Sequence, residues 1–233
     1  MSKSKIIKEL ANGTISVQTA LKRTKVLLQE LDNKEILKWI NYEIEGYPDG
    51  TIVPEYRKIN GQLYVNYFKG SISSHIKCNN VPLPLGKMPK ENKQKLLIKD
   101  VTQSIEALKC MLEGVQQSNN KVLSISIPAD LYPYIAKCNN DPFMMITSAS
   151  IVFNTSEIMN IFSKVESILL DILYYLEKKF GNLDELDIDT ENKNSEELSE
   201  IISHIQIIYN DHSVFIGNDN KIKDSTISSM IIE

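Results

Sequence analysis

Apolar positions recur every three or four residues along much of the chain. In the first such stretch Ile6, Ile7 and Leu10 predict a short helix broken by Asn12-Gly13. Ser16 is placed to cap the next helix, in which Val17, Ala20, Leu21, Leu27, Leu28 and Leu31 fall on one face. A third helix opens at Asp32, with Glu35 three residues on in a capping-box arrangement, and closes at Gly46, the residue type that suits a left-handed C-cap. Ile36, Ile40 and Ile44 step along it by four with Trp39 and Glu43 beside them, so one face joins an aromatic anchor to a carboxylate. A charge on such a face needs a partner. Arg57 is the nearest arginine after the following turn, so the two are expected to pair, with Tyr47 and Tyr56 packed near Trp39.

After Gly50 the period shortens. Residues 62–68 and 71–78 alternate in part with period two around Lys69-Gly70 and predict an antiparallel pair, which Pro82, Pro84 and Pro89 bring to an end. Leu97, Val101, Ile105, Leu108 and Leu112 restore helical spacing up to Gly114; residues 122–127 read as a strand before Pro128, and residues 143–153 as a buried strand. Thr155 or Ser156 can cap a long helix in which Ile158, Phe162, Val165, Leu169, Ile172 and Leu176 step by four and three. Ile161, Ile168 and Tyr175 widen that stripe, so burial inside the domain suits it at least as well as a coiled coil. Residues 182–197 are acidic, with few apolar positions, and read as a solvated linker. A short helix fits near residues 198–202, beyond which Ile205, Ile207 and Tyr209 alternate and Val214-Phe215-Ile216 leads into the turn residues 217–220.

The expected fold is therefore α+β: a mostly helical body with a small antiparallel sheet (residues 1–180), an acidic linker (181–200) and a short β-rich C-terminal tail (201–233). A chain of 233 residues with 42% hydrophobic and 24% charged content can bury a sizeable core. Met1 to Lys8 carries lysines but no apolar stretch follows, so no secretion signal is expected, and no run approaches the roughly 20 apolar residues of a membrane span. Three cysteines, Cys78, Cys110 and Cys138, make an odd number and argue for a reducing cytoplasm rather than a disulfide framework. Charge is divided unevenly. Residues 1–114 hold 18 basic against 12 acidic side chains, while residues 181–233 hold 3 against 12, so the two ends could attract each other in an assembly.

Candidate chemistry is sparse. His75 and Cys78 could offer two metal ligands, yet no second close pair completes a site, and no metal or other cofactor is expected. The pattern Lys-Cys-Asn-Asn-x-Pro occurs at residues 77–82 and 137–142 with unlike flanks, which two similar turns explain. Asp187, Asp189 and Glu191 begin like a calcium loop but lack its glycine and its final glutamate. Lys87, Lys90, Lys93, Lys95 and Lys99 form a basic run that reads as a solvated helix face, without the arginine or aromatic residues that would support base stacking. No phosphate-binding glycine loop, nucleophile elbow or zinc-helix motif is present, and of the histidines only His75 lies in the body to serve a cysteine nucleophile.

Trp39, Glu43, Gly46-Tyr47-Pro48, Pro54, Tyr56-Arg57 and Gly61 resemble the AbiTii family of bacterial abortive-infection proteins. The resemblance extends through residues 81–85, 103–108 and the long helix at 156–176, covering roughly residues 1–180. It departs from the family pattern at Lys164-Val165-Glu166 and at Ala107-Leu108. It implies phage defence and carries no catalytic residues, so Trp39, Glu43, Gly46, Tyr47, Pro48, Tyr56 and Arg57 are taken as a structural motif. The leading expectation is a cytoplasmic, non-enzymatic defence protein that acts through self-assembly and contacts with a phage or host protein. A nuclease-like enzyme with an unrecognised site and a nucleic-acid-binding module using the lysine run are the alternatives. Self-association is assigned to Val214, Phe215, Ile216, Ile222 and Ile227 of the tail, because an isolated hairpin has too little apolar face to stand alone. A trimer is one arrangement that would cover the open strand edges.

Overall fold

The computed structural model describes residues 3–71, 74–117, 122–141 and 143–210. Three helices open it: α1 (Lys5–Ala11), α2 (Val17–Gln29) and α3 (Lys34–Glu45). Ser16 caps α2 as expected, its hydroxyl accepting from the Thr19 amide at 3.1 Å. The cap of α3 falls one residue later than expected. Asn33 accepts from the Ile36 amide at 3.1 Å, while Asp32 takes a φ of 44° and belongs to the turn. Gly46 ends α3 with φ 101° and ψ 161°, so its φ is positive but its backbone is not left-handed helical.

The sheet is built on β1 (Lys58–Ser71), which pairs antiparallel with β2 (Ser74–Pro82) on one side. After α4 (Lys90–Leu97), the short β3 (Ile98–Asp100) pairs with the first residues of β1, and α5 (Ile105–Gln117) follows. The single helix expected across 97–112 is therefore two helices with a strand between them. Ile98 to Asp100 satisfy their backbone groups against Lys58 to Asn60, and Ser104 caps the new helix by accepting from the Ala107 amide. The strand β4 (Leu123–Ser126), helix α6 (Tyr132–Cys138) and strand β5 (Met144–Phe153) complete the order β2-β1-β5-β4, with every pairing antiparallel. β5 is buried on one face only, through Ile146, Ala149, Ile151 and Phe153. Gly61 leaves room for the β5 side chains packed over it, since a Cβ there would stand 2.2 Å from Ile151 Cγ2.

Helix α7 (Thr155–Phe180), capped by Asn154, runs through the middle of the core. Ile158, Ile161, Val165, Ile168, Leu169, Ile172, Leu173 and Leu176 are buried on it. Helices α1, α2 and α5 pack against it, as does the last described element, α8 (Ser195–Tyr209). α8 corrects the expectation of a β-rich tail over its described part. Asn194 and Glu197 form a full capping box, and Ile201, Ile205 and Tyr209 are buried at four-residue spacing, so the alternation of Ile205, Ile207 and Tyr209 was the inner and outer face of a helix. The preceding acidic segment also lies against the body, burying Leu183 and Ile188. Val214, Phe215, Ile216, Ile222 and Ile227 fall outside the described residues.

The start of the chain is tied to the end of α7. Glu177 accepts from Lys3 Nζ at 2.8 Å and from the Ser4 hydroxyl and amide at 2.6 Å each, and the Ser4 hydroxyl accepts in turn from the Leu183 amide. Burial pushes the Glu177 carboxyl up, but the Lys3 ammonium and the Ser4 donors outweigh it and hold the pKa at about 2, below its ordinary 4.5. A carboxylate whose pKa is depressed by folding stabilises above its ordinary pKa and loses that contribution as pH falls toward the folded value. Stability should therefore fall between pH 4.5 and 2, and Glu177→Gln should flatten that limb; an unchanged acid limb in denaturant titrations would count against the tie. Gly61→Ala should cost about 1–3 kcal/mol by overpacking, read as a lower denaturation midpoint with unchanged slope.

Candidate functional site

Glu43, near the C-terminal end of α3, points inward with no exposure to solvent, and Arg57, from the 3-10 turn Glu55–Arg57, is equally sealed. Burying either ion alone would be prohibitive, so the geometry around them must satisfy both. Glu43 Oε1 accepts from Tyr47 Oη at 2.6 Å, Tyr56 Oη at 2.7 Å and Arg57 Nε at 3.0 Å, and Oε2 accepts from Arg57 Nη2. This is a two-pronged contact between planar groups. Arg57 Nη1 donates to the Val101 and Gln103 carbonyls at 3.1 and 2.7 Å. The Tyr47 ring lies over the guanidinium, with its centroid 4.8 Å from the central carbon.

The cluster continues outward through Trp39. Its indole Nε1 donates to Tyr56 Oη at 3.0 Å, and its ring stacks on Tyr209 of α8 with centroids 5.0 Å apart and planes 11° from parallel. Tyr56 thus accepts from one neighbour and donates to the other. The backbone supports the same convergence. Tyr47 N–H donates to the Thr102 carbonyl at 2.7 Å and Val101 N–H to the Arg57 carbonyl at 2.8 Å. Gly46 lies so close that a Cβ would be 3.0 Å from the Thr102 oxygen, and its positive φ already disfavours a side chain.

Burial and the Glu43 charge both raise the pKa of Tyr47 and Tyr56, in that order of importance, so these phenols remain hydrogen-bond donors throughout the physiological range. Burial alone would lower that of Arg57, but the charge and hydrogen bonds of Glu43 overcome it and hold it above its ordinary value. Tyr209 is pushed up to about 12, by burial first and the Glu35 charge second. The arrangement holds the end of α3, the 3-10 turn and residues 101–104 against one another.

The expected pairing of Glu43 with Arg57 beside Tyr47, Tyr56 and Trp39 is present. Pro48 lies in the loop beyond, its carbonyl accepting from the Thr51 amide. Sequence reasoning missed Thr102, the two carbonyl acceptors at 101 and 103, and Tyr209. Backbone acceptors carry no residue signature, and the alternation of Ile205, Ile207 and Tyr209 reads as a strand. The other candidates disperse. His75 meets Phe68 edge to face, and Cys78, Cys110 and Cys138 are free thiols. Among the described residues no three His, Cys, Asp or Glu side chains gather as a metal site. The twin asparagine patterns share one feature: Asn80 and Asn140 both adopt positive φ, 48° and 53°. The first stands at a bulge of β2 and the second just past α6. Of the basic run, Lys90, Lys93 and Lys95 lie on α4, a helix with no buried residue, while Lys87 precedes it and Lys99 lies on β3.

The family model of AbiTii matches residues 4–202, and the chain belongs to that family, whose membership implies a part in abortive-infection phage defence. No curated protein and no solved structure matches it. Among the described residues no helix is long and apolar enough to cross a membrane.

Removing one partner of the sealed pair should be severe. Glu43→Gln or Arg57→Met is expected to cost about 3–5 kcal/mol, and the double variant less than the sum of the two. Chemical denaturation of the three variants measures both quantities, and additive or sub-kcal/mol losses would contradict a fully buried pair.

Proposed function

We propose that this protein serves abortive-infection defence as a non-enzymatic cytoplasmic component, working through contacts with copies of itself and with a phage or host protein. Membership of the AbiTii family is the observation that carries this reading. The state of the family motif supports the mechanism: Glu43 and Arg57 are sealed from any substrate, and their bonds are spent on positioning. Tyr47, bonded to Glu43, and Val53 are the buried ends of the loop at residues 47–54, and Ile52 stands 89% exposed between them. A large apolar side chain presented on an anchored loop suits a protein contact. Self-association is assigned to the segment past Asn210, with Val214, Phe215, Ile216, Ile222 and Ile227, for which a trimer is one arrangement.

The test is a phage challenge of cells expressing the full chain, an Ile52→Asp variant and a version ending at Asn210, which keeps α8 whole. The full chain should protect. Ile52→Asp should lose protection while its melting temperature stays within a few degrees, and the shortened version should lose mass per assembly in light scattering. Purified protein should not hydrolyse DNA, RNA or nucleotides. Metal-dependent cleavage abolished by a single carboxylate or histidine substitution would refute the reading, as would full protection by Ile52→Asp together with the shortened version.

A further inference from the structure

A groove of about 510 Å3 opens beside the ionic cluster. One wall is α7, which contributes Glu157, Asn160, Ser163, Lys164 and Ser167; the other is Tyr56 and Lys58. The α7 wall is peculiar for a helix surface. Asn and Ser are poorer helix formers than Ala, Glu or Lys, because they compete for backbone hydrogen bonds. Ser163 does this here, donating to the Met159 carbonyl at 3.3 Å. Asn160, Ser163 and Ser167 follow one another at three- and four-residue spacing and so share one stripe of the central helix. Tyr56 is half-buried against the core, with its hydroxyl committed to Glu43 and Trp39, and lines the groove beside Lys58.

We infer that this groove binds a small phosphate-bearing ligand of mononucleotide size. The groove is shallow and open to solvent, with room for a ligand of that size. Lys58 and Lys164 supply the cationic contacts for phosphate, and Asn160 and Ser167 supply neutral hydrogen-bonding groups. Tyr56 is the aromatic residue of the lining against which a base can stack. Glu157 lies seven residues before Lys164, about 10 Å away along the helix axis. That separation lets a carboxylate accept from sugar hydroxyls at one end while the phosphate sits at the other. Lys58 is paired with Glu55 on the surface, an exposed contact weak enough for phosphate to displace.

The groove and the cluster share Tyr56, which bonds the chain's single tryptophan, so binding has a built-in reporter. The full chain would be titrated with AMP, and separately with inorganic phosphate, following Trp39 fluorescence and heat of binding. AMP should bind saturably below about 1 mM, and Lys164→Glu should weaken it roughly tenfold or more, the scale of one lost hydrogen bond to a charged group. A Ser163→Ala/Ser167→Ala variant separates binding from folding: it should melt higher, because alanine favours the helix, yet bind AMP less well. No saturable binding of AMP, binding indifferent to both variants, or phosphate alone binding as tightly as AMP would overturn the inference.

Discussion

An ion pair with neither member exposed is tolerable only when nearly every donor and acceptor it carries is satisfied, and that requirement shapes this molecule around Glu43 and Arg57. The carboxylate takes both phenols and two guanidinium nitrogens, and the guanidinium turns its remaining arm to two backbone carbonyls. Partial formation would leave a buried charge unpaired. Residues 43, 47, 56, 57 and 101–103 must therefore arrive together or not at all, and this coupling fixes the end of α3 to the start of α5. A well-packed apolar substitute could match the pair in stability, so its distinctive contribution is the unique register it imposes.

The neighbouring elements inherit that register. β1 begins one residue after Arg57, so the pair sets where the strand enters the sheet, and Gly61 then lets it press against Ile151 and Phe153. Val101 follows β3 directly, and its amide returns to the Arg57 carbonyl, so the short strand is locked at both ends. Tyr209 reaches the same cluster from the far end of the described chain by stacking on Trp39. The family match ends at residue 202, and Tyr209, seven residues beyond it in the same helix, closes over the central aromatic residue of the matched region.

Much of this was legible where local chemistry and tertiary packing agree. The stripes of α2, α3 and α7 follow helical periodicity because each packs one face on a common core, and Glu43 announced its partner because a carboxylate on an apolar face has few alternatives. Reading failed where long-range pairing overrode spacing. Leu97, Val101 and Ile105 keep helical intervals, yet the intervening residues are taken by the edge of β1. Ile205, Ile207 and Tyr209 satisfy period two and lie in a helix that Leu198, Ile201, Ile205 and Tyr209 satisfy as well. Asp32 and Asn33 are both good caps, and only the backbone turn chooses between them. The polar stripe on α7 was visible as residues but not as a groove, since its opposite wall comes from a turn about a hundred positions earlier.

Native-state hydrogen exchange tests the central claim most directly. If the sealed pair couples its segments into one cooperative unit, the amides of Tyr47, Arg57 and Val101, bonded to Thr102, Pro54 and Arg57, should exchange only through global unfolding, with the protection of the α7 core amides near Leu169. Exchange of those three amides through local opening, orders of magnitude faster than the α7 amides, would contradict the account.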